Sequence, residues 1–274
     1  MVADLHVHSI FSDGSFSPEE LIDMAIKKGL KAIALSDHDT VEGLESMIKR
    51  GREKGIEVIP AIELSTFSSG SEVHILGYKV DYQDEFFLKE IECLFKLRLS
   101  RAKKMIEKLN QLGIKISYQQ VKEMAGDKYI GRPHIAKALF NADYIKSIEE
   151  AFSQEYIGNG GRAYVAKEAL KPKEAIALIH QAGGVAVLAH PYFVNKGNAF
   201  TKKEVQDLLA KGLDGIEVYH SKHNRETSNY YLKVAEELGL LITGGSDFHG
   251  ETYPQVKLGD VRVGEDLLKK LKDA

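Results

Sequence analysis

Apolar and polar positions along this chain switch repeatedly between two periods. Short runs rich in aliphatic and β-branched residues fall at 5–7, 31–36, 57–66, 72–80, 185–189, 215–219 and 240–244, and predict strands. Helical periodicity follows at 40–54, 172–182, 202–211, 225–238 and about 265–272. An earlier helix opens at Ser17-Pro18-Glu19-Glu20: Ser17 suits the N-cap, Pro18 the first helical position and Gly29 the stop. Repeated β-then-α units imply an α/β fold with a mainly parallel sheet, either a barrel or an open doubly wound sheet.

The middle of the chain breaks this alternation. From about 84 to 152 only the helical period is present. Leu88, Ile91, Phe95, Ala102, Met105, Leu109 and Leu112 fall at three- and four-residue steps and predict one long amphipathic helix. Shorter helices are expected at 121–124, 133–140 and 145–152. The turn Gly158-Asn159-Gly160-Gly161 then leads back to the α/β pattern. The expected organisation is an α/β body made of residues 1–84 and 166–274, with a helical insertion at 85–165 that covers the mouth of the body.

Composition changes this picture little. Of 274 residues, 43% are hydrophobic and 28% charged, as in an ordinary globular protein. The net charge of −3 gives no global attraction to nucleic acid, so any such contact has to be local. The single cysteine, Cys93, excludes an internal disulfide framework and a thiolate-rich zinc site, and is expected to be a small core residue on a helix. No apolar run reaches the ~18 residues of a membrane helix, and the N-terminus does not read as a signal peptide. A cytoplasmic location is expected, with no membrane association and no obligate protein partner.

Candidate chemistry sits at the strand ends. His6, His8, His38, His190 and His249, with Asp13, Asp37, Asp39, Glu63 and Asp247, all fall at or just past the C-terminal end of a predicted strand; His74 lies within one. Parallel α/β folds build their active sites at that end. Residues two apart on a strand share a face, so His6 and His8 project together, as do Asp247 and His249. Each residue alone has an ordinary reading as a core or surface polar group, and Asp39 alone could cap the helix at 40–54. Glu63 stands in the apolar run Val58-Ile59-Pro60-Ala61-Ile62-Glu63-Leu64, where a carboxylate needs a partner or a metal to offset desolvation. Asp4 shares a face with His6 and His8, from which it could orient an imidazole.

Histidine and carboxylate donors without cysteine suit Mn²⁺, Zn²⁺ or Fe²⁺. Nine ligand candidates exceed the needs of one ion. Two or three divalent ions, with Glu63 bridging, would use them, and such a cluster suits hydrolysis of a phosphate ester. In the helical segment, Arg132 and His134 lie beside the start of the helix at 133–140, a good anion site in which helix N–H groups add to the guanidinium fork. Arg101, Arg162, Lys167, His220 and His223 are weaker candidates for phosphate or base contacts, and His180 reads as structural.

The motifs Asp4-Leu5-His6-Val7-His8-Ser9 with Asp13, Ser36-Asp37-His38-Asp39, Ala189-His190-Pro191 and Ser246-Asp247-Phe248-His249, with Glu63 and His74 between them, resemble the PHP family, named for polymerase and histidinol phosphatase domains. The resemblance spans essentially the whole chain. It implies a distorted (β/α)₇ barrel with an inserted helical lid and a trinuclear metal centre. One ion would take His6, His8, Glu63 and Asp247; a second Glu63, His74 and His190; a third Asp13, His38 and His249. Asp13, His38, Asp247 and His249 would serve catalysis, and Arg132, His134, Asp39 and His220 the substrate. The Gly131-Arg132-Pro133-His134-Ile135-Ala136 segment resembles the branch holding 3′,5′-nucleoside bisphosphate phosphatase and a 5′→3′ exoribonuclease. The expected activity is therefore phosphoester hydrolysis of a nucleotide or a short 5′-phosphorylated RNA end by metal-activated hydroxide, with Mn²⁺ placed first. Histidinol-phosphate phosphatase and an amidohydrolase-like C–N hydrolase are the alternatives.

Overall fold

The computed structural model describes residues 2–68, 70–125, 130–166, 168–192 and 199–274. The chain forms two compact units, one of Met1–Glu90 with Leu170–Ala274 and the other of Ile91–Ala169.

The first unit is built on a seven-stranded sheet in the order β1 (Ala3–Val7), β2 (Ala32–Leu35), β3 (Glu57–Ser68), β4 (Ser71–Tyr78), β5 (Val185–Leu188), β6 (Gly215–His220) and β7 (Leu241–Gly245). β4 runs antiparallel to both of its neighbours, and the remaining pairings are parallel. The sheet curls into a nearly closed barrel. At one end His8 N–H donates to Phe248 O (2.9 Å) and Asp247 N–H to His6 O (2.9 Å); at the other, Val2 N–H donates to Val263 O (2.7 Å). Gly245 permits the approach, because a Cβ there would lie 2.4 Å from the main-chain nitrogen of His6.

The barrel interior changes character along its axis. Ile59, Ala61, Leu76, Tyr78, Val185 and Val187 pack together with Leu268 and Leu271 of the final helix. Side chains alternate along a strand, so the inward positions of β3 read Ile59, Ala61, Glu63 and those of antiparallel β4 read Tyr78, Leu76, His74. Both strands pass from apolar to ligand-type residues at the same end of the barrel.

Helices α1 (Pro18–Lys27), α2 (Leu44–Lys54), α6 (Pro172–Gln181), α7 (Lys202–Leu209), α8 (Arg225–Leu238) and α9 (Glu265–Asp273) belong to this unit. α1 opens as expected: Ser17 Oγ accepts from Glu20 N–H (3.2 Å), and Glu20 accepts in return from Ser17 N–H (2.8 Å). α2 begins at Leu44 and not at residue 40, since Leu44 N–H closes a turn back to Val41 O (3.0 Å). Asp39 is therefore no cap; its carboxylate accepts from Ser65 N–H (2.8 Å).

The second unit has its own core. α3 (Glu85–Gln111), which starts in the first unit, contributes Met105, Ile106 and Leu109; these pack with Val121 of α4 (Tyr118–Met124) and with Ile135 and Leu139 of α5 (Arg132–Asn141). Three expectations are corrected here. Residues Ile148–Phe152 form a 3₁₀ turn and not an α-helix. The apolar stripe of α3 uses Phe87 and Ile91, leaving Leu88 exposed. Cys93 lies on the polar face of α3 and is exposed.

Candidate metal centre

The residues from the strand ends converge on Glu63. Its Oε1 faces His74 Nδ1 (2.9 Å) and His190 Nε2 (3.0 Å), while Oε2 faces His6 Nε2 (3.2 Å), His8 Nε2 (3.3 Å) and His38 Nδ1 (3.2 Å). A fully buried carboxylate thus presents its two oxygens to different imidazole sets, the geometry of a bridging ligand. Asp247 Oδ1 meets His8 Nε2 (3.2 Å) and His6 Nε2 (3.4 Å). Asp13 Oδ1 meets His249 Nε2 (3.2 Å), and its other oxygen faces His38 Nε2 (3.9 Å).

Among the described residues, four groups have donor atoms within 4.8 Å of one another: His6, His8, Glu63 and Asp247; His8, Asp13, His38 and His249; His38, Glu63 and His74; and His6, Glu217 and His220. All nine residues expected as ligands come together, with His190 joining through the same Glu63 oxygen as His74.

Several contacts suit a cation between them. His249 Nδ1–H donates to Asp247 O (2.9 Å), which leaves the lone pair of Nε2 pointed at Asp13. His6 Nδ1–H donates to Glu217 (3.0 Å), which leaves Nε2 facing Glu63 and Asp247. His8 Nε2 and Asp13 Oδ1 are buried without a hydrogen-bond partner. Each buried acceptor left this way costs about 1–3 kcal/mol, and divalent ions would satisfy them together. The donor set fits such ions.

The electrostatics agree. Burial pushes the Glu63 carboxyl up, but His38, His74 and His6 outweigh it and hold the group well below the ordinary carboxylate range. Burial also raises Asp247 and Asp13, and imidazoles led by His249 bring both below that range. Burial lowers His38 to about 3. Burial lowers His8 too, yet the carboxylates of Asp247 and Glu63 beside it lift it to about 10. The carboxylates therefore stay charged in a dry site and demand positive charge beside them.

Backbone strain marks the same strand ends. Asp39 (φ 52°), His190 (φ 25°) and Asp247 (φ 57°) hold positive φ, which costs roughly 1–3 kcal/mol per residue and gathers at functional sites.

Other expected residues fall elsewhere. Asp4 does not orient an imidazole: it accepts from Ser246 N–H (2.8 Å), Ser246 Oγ–H (2.6 Å) and Gly259 N–H (2.8 Å), tying the first motif to the last. Asp37 accepts from Ser9 N–H (2.7 Å), Ser9 Oγ–H (2.6 Å) and Ser12 Oγ–H, so it braces the loop after β1. His220 is buried, accepts from Lys222 N–H through Nδ1 (3.2 Å), and turns Nε2 toward Asp247 Oδ2 (3.3 Å). His223 Nδ1–H donates to Val218 O (2.9 Å), and burial lowers its ring to about 4. His180 pairs with Asp214 (2.7 Å) on the surface.

Within the helical unit, Arg132 Nη1 donates to Asn159 Oδ1 (2.9 Å) and its guanidinium lies over the Phe152 ring. His134 Nδ1 accepts from Gly131 N–H (3.1 Å) and so caps its own helix. Arg101 Nε donates to Val165 O (2.9 Å), and Arg162 pairs with Glu155 (3.3 Å). Lys167 lies outside the described residues.

Glu217 is the residue that the strand-end reading missed. It is fully buried in β6, one position beyond the Gly-Ile start of an otherwise apolar run. The test that singled out Glu63, a carboxylate inside an apolar strand, would have found it.

Against this geometry the chain matches the PHP domain over residues 4–218. The chain belongs to the PHP family. The match ends before Asp247 and His249, which the barrel itself brings to His6 and Asp13. This PHP chain is 35% identical to a 5'-3' exoribonuclease of Haemophilus influenzae over 96% of its own length and 93% of the relative's. It is 31% identical to a 3',5'-nucleoside bisphosphate phosphatase of Chromobacterium violaceum, covering 96% of this chain and 92% of that one. A crystal structure of a Bifidobacterium adolescentis protein assigned as a metal-dependent phosphoesterase superposes with a TM-score of 0.89 at 31% identity, over 99% of this chain and 95% of the other. This PHP protein is thus a metal-dependent hydrolase of phosphoesters. Among the described residues no helix is long and apolar enough to cross a membrane.

Proposed function

We propose that the enzyme hydrolyses phosphate esters of nucleotides, either a 3′,5′-nucleoside bisphosphate or a short 5′-phosphorylated oligoribonucleotide. The observation that carries this reading is Glu63, buried with two oxygens toward five imidazoles and flanked by Asp13 and Asp247. The two relatives named for nucleotide and RNA substrates support the substrate class.

His6, His8, Glu63 and Asp247 would hold one divalent ion, Asp13, His38 and His249 another, and Glu63 with His74 and His190 a third, with Mn²⁺ the first choice and Zn²⁺ or Fe²⁺ also suited. Such ions supply Lewis acidity, polarising phosphoryl oxygens and acidifying water. The protein's own contribution is to hold these imidazoles and carboxylates aimed at one another in a dry site. His249 is turned by the carbonyl of Asp247, and His220 steadies the carboxylate of Asp247. Asp13, His38, Asp247 and His249 are assigned to the reacting end. Arg132, with its guanidinium fork at a helix start, and His134 are assigned to a second phosphate of the substrate; Asp39 and His220 have the remaining substrate roles.

The test is a substrate panel on metal-stripped protein titrated with Mn²⁺: adenosine 3′,5′-bisphosphate, 5′-phosphorylated short RNA, DNA and histidinol phosphate. Turnover is expected on the bisphosphate or the RNA. Bound metal without turnover on either overturns the substrate class.

A further inference from the structure

Glu217 has no assigned part in the reaction, yet it touches two of the residues placed around the metals. Its Oε1 accepts from His6 Nδ1–H at 3.0 Å, and both side chains are fully buried. Its Oε2 accepts from the main-chain N–H of His190 at 2.8 Å. The two imidazoles lie nearly parallel, with centroids 5.8 Å apart.

We propose that Glu217 is a positioning residue that sets the tautomer of His6 and the backbone of His190 together, so that both present Nε2 to the oxygens of Glu63. An imidazole that binds a cation through Nε2 must carry its proton on Nδ1, and a buried Nδ1–H needs an acceptor that cannot itself donate. A carboxylate is such an acceptor. His190 stands at φ 25°, a conformation that side-chain-bearing residues rarely hold, and the bond from its N–H to Glu217 ties that backbone down. One carboxylate on β6 thereby couples a ligand of β1, which meets β7 where the barrel closes, to a ligand following the neighbouring strand β5. Both of its partners are donors. A glutamine there has one accepting oxygen and one donating NH₂, so it can satisfy His6 or His190 but not both.

The inference rests on the metal reading of the Glu63 cluster, and the experiment separates the two. Apparent Mn²⁺ and Zn²⁺ affinities are measured by chelator competition on wild type, Glu217→Gln and Glu217→Asp. Thermal unfolding of each metal-stripped protein is recorded in parallel, and ¹⁵N NMR reads the His6 tautomer. Glu217→Gln is expected to remain folded, to lose roughly tenfold to a hundredfold in affinity for its tightest ion, and to show a mixed His6 tautomer. Glu217→Asp, which keeps two accepting oxygens, should recover part of that loss and covers the case in which the glutamine variant does not fold. Wild-type affinity with an unchanged tautomer in Glu217→Gln overturns the role of Glu217 alone. A lowered melting temperature with unchanged metal affinity overturns it as well, since it marks a merely structural role. Failure of wild type to bind any divalent ion overturns both this inference and the reading of the cluster.

Discussion

Asp247 and His6 meet twice. The main-chain N–H of Asp247 donates to the carbonyl of His6 at 2.9 Å, and His6 Nε2 lies 3.4 Å from Asp247 Oδ1. Two residues from opposite ends of the chain are thus joined through backbone and side chain alike, so closing the barrel and assembling the site are one event.

Gly245→Ala tests that closure directly. A Cβ there would sit 2.3 Å from the Cβ of His6 and 2.4 Å from its nitrogen, and backbone has little room to yield. We expect a loss of about 1–3 kcal/mol or more, read as a lower denaturation midpoint, together with weaker metal binding. An unchanged midpoint would show that the strands can separate without penalty.

Asp4→Ala removes the carboxylate that holds Ser246 and Gly259 and leaves buried donors without partners. At about 1–3 kcal/mol for each, urea denaturation of metal-stripped protein should show a loss of at least ~3 kcal/mol. Asp4→Asn, which can still accept, should lose less.

Metal removal and acid act on the same nitrogen atoms. Chelation is expected to abolish turnover. Protons compete with ions for imidazole lone pairs, so apparent metal affinity should fall on acidification. Wherever ions bind only the folded protein they stabilise it by about 2.7 kcal/mol at a hundredfold excess over Kd. The rise in Tm on adding Mn²⁺ should therefore be large at neutral pH and shrink on acidification. A pH-independent rise in Tm would speak against histidine ligands.

Asp13→Ala removes a carboxylate that faces both His249 and His38. The fold should survive, with a metal-stripped Tm close to wild type, while turnover falls by at least tenfold and metal analysis finds about one ion fewer. Full turnover with full metal content would remove Asp13 from the reacting end.

Arg132→Ala should spare a generic aryl phosphate and impair the bisphosphate, by roughly tenfold to a hundredfold in kcat/KM, the worth of a hydrogen bond to a charged group. Equal losses on both substrates would contradict a role at the second phosphate.

Much of this molecule was legible before its coordinates. All seven strand positions follow from local pattern, because period-two apolar runs and capping signals such as Ser17 with Glu20 act over a few residues. The ligand types were legible too: His6 and His8 two apart on a strand, and Glu63 stranded in an apolar run. Open readings and errors lay where distant partners decide. Asp39 looked like a cap until Ser65 claimed its carboxylate, Asp4 like an imidazole partner until Ser246 did, and Leu88 like a core residue until Phe87 took the buried position.

The sequence alone thus determined which elements form and which donor residues stand at their ends, since propensity, capping and side-chain alternation are short-range effects. Only the tertiary structure decided which donors share an ion-sized space, that Asp247 reaches His6 across 241 positions, and that Glu217 stands behind His6 and His190. Those relationships depend on how far the sheet curls and which strand faces which. A hydrogen bond or metal contact needs its atoms within a few tenths of an ångström, and that precision is set by the packed barrel as a whole.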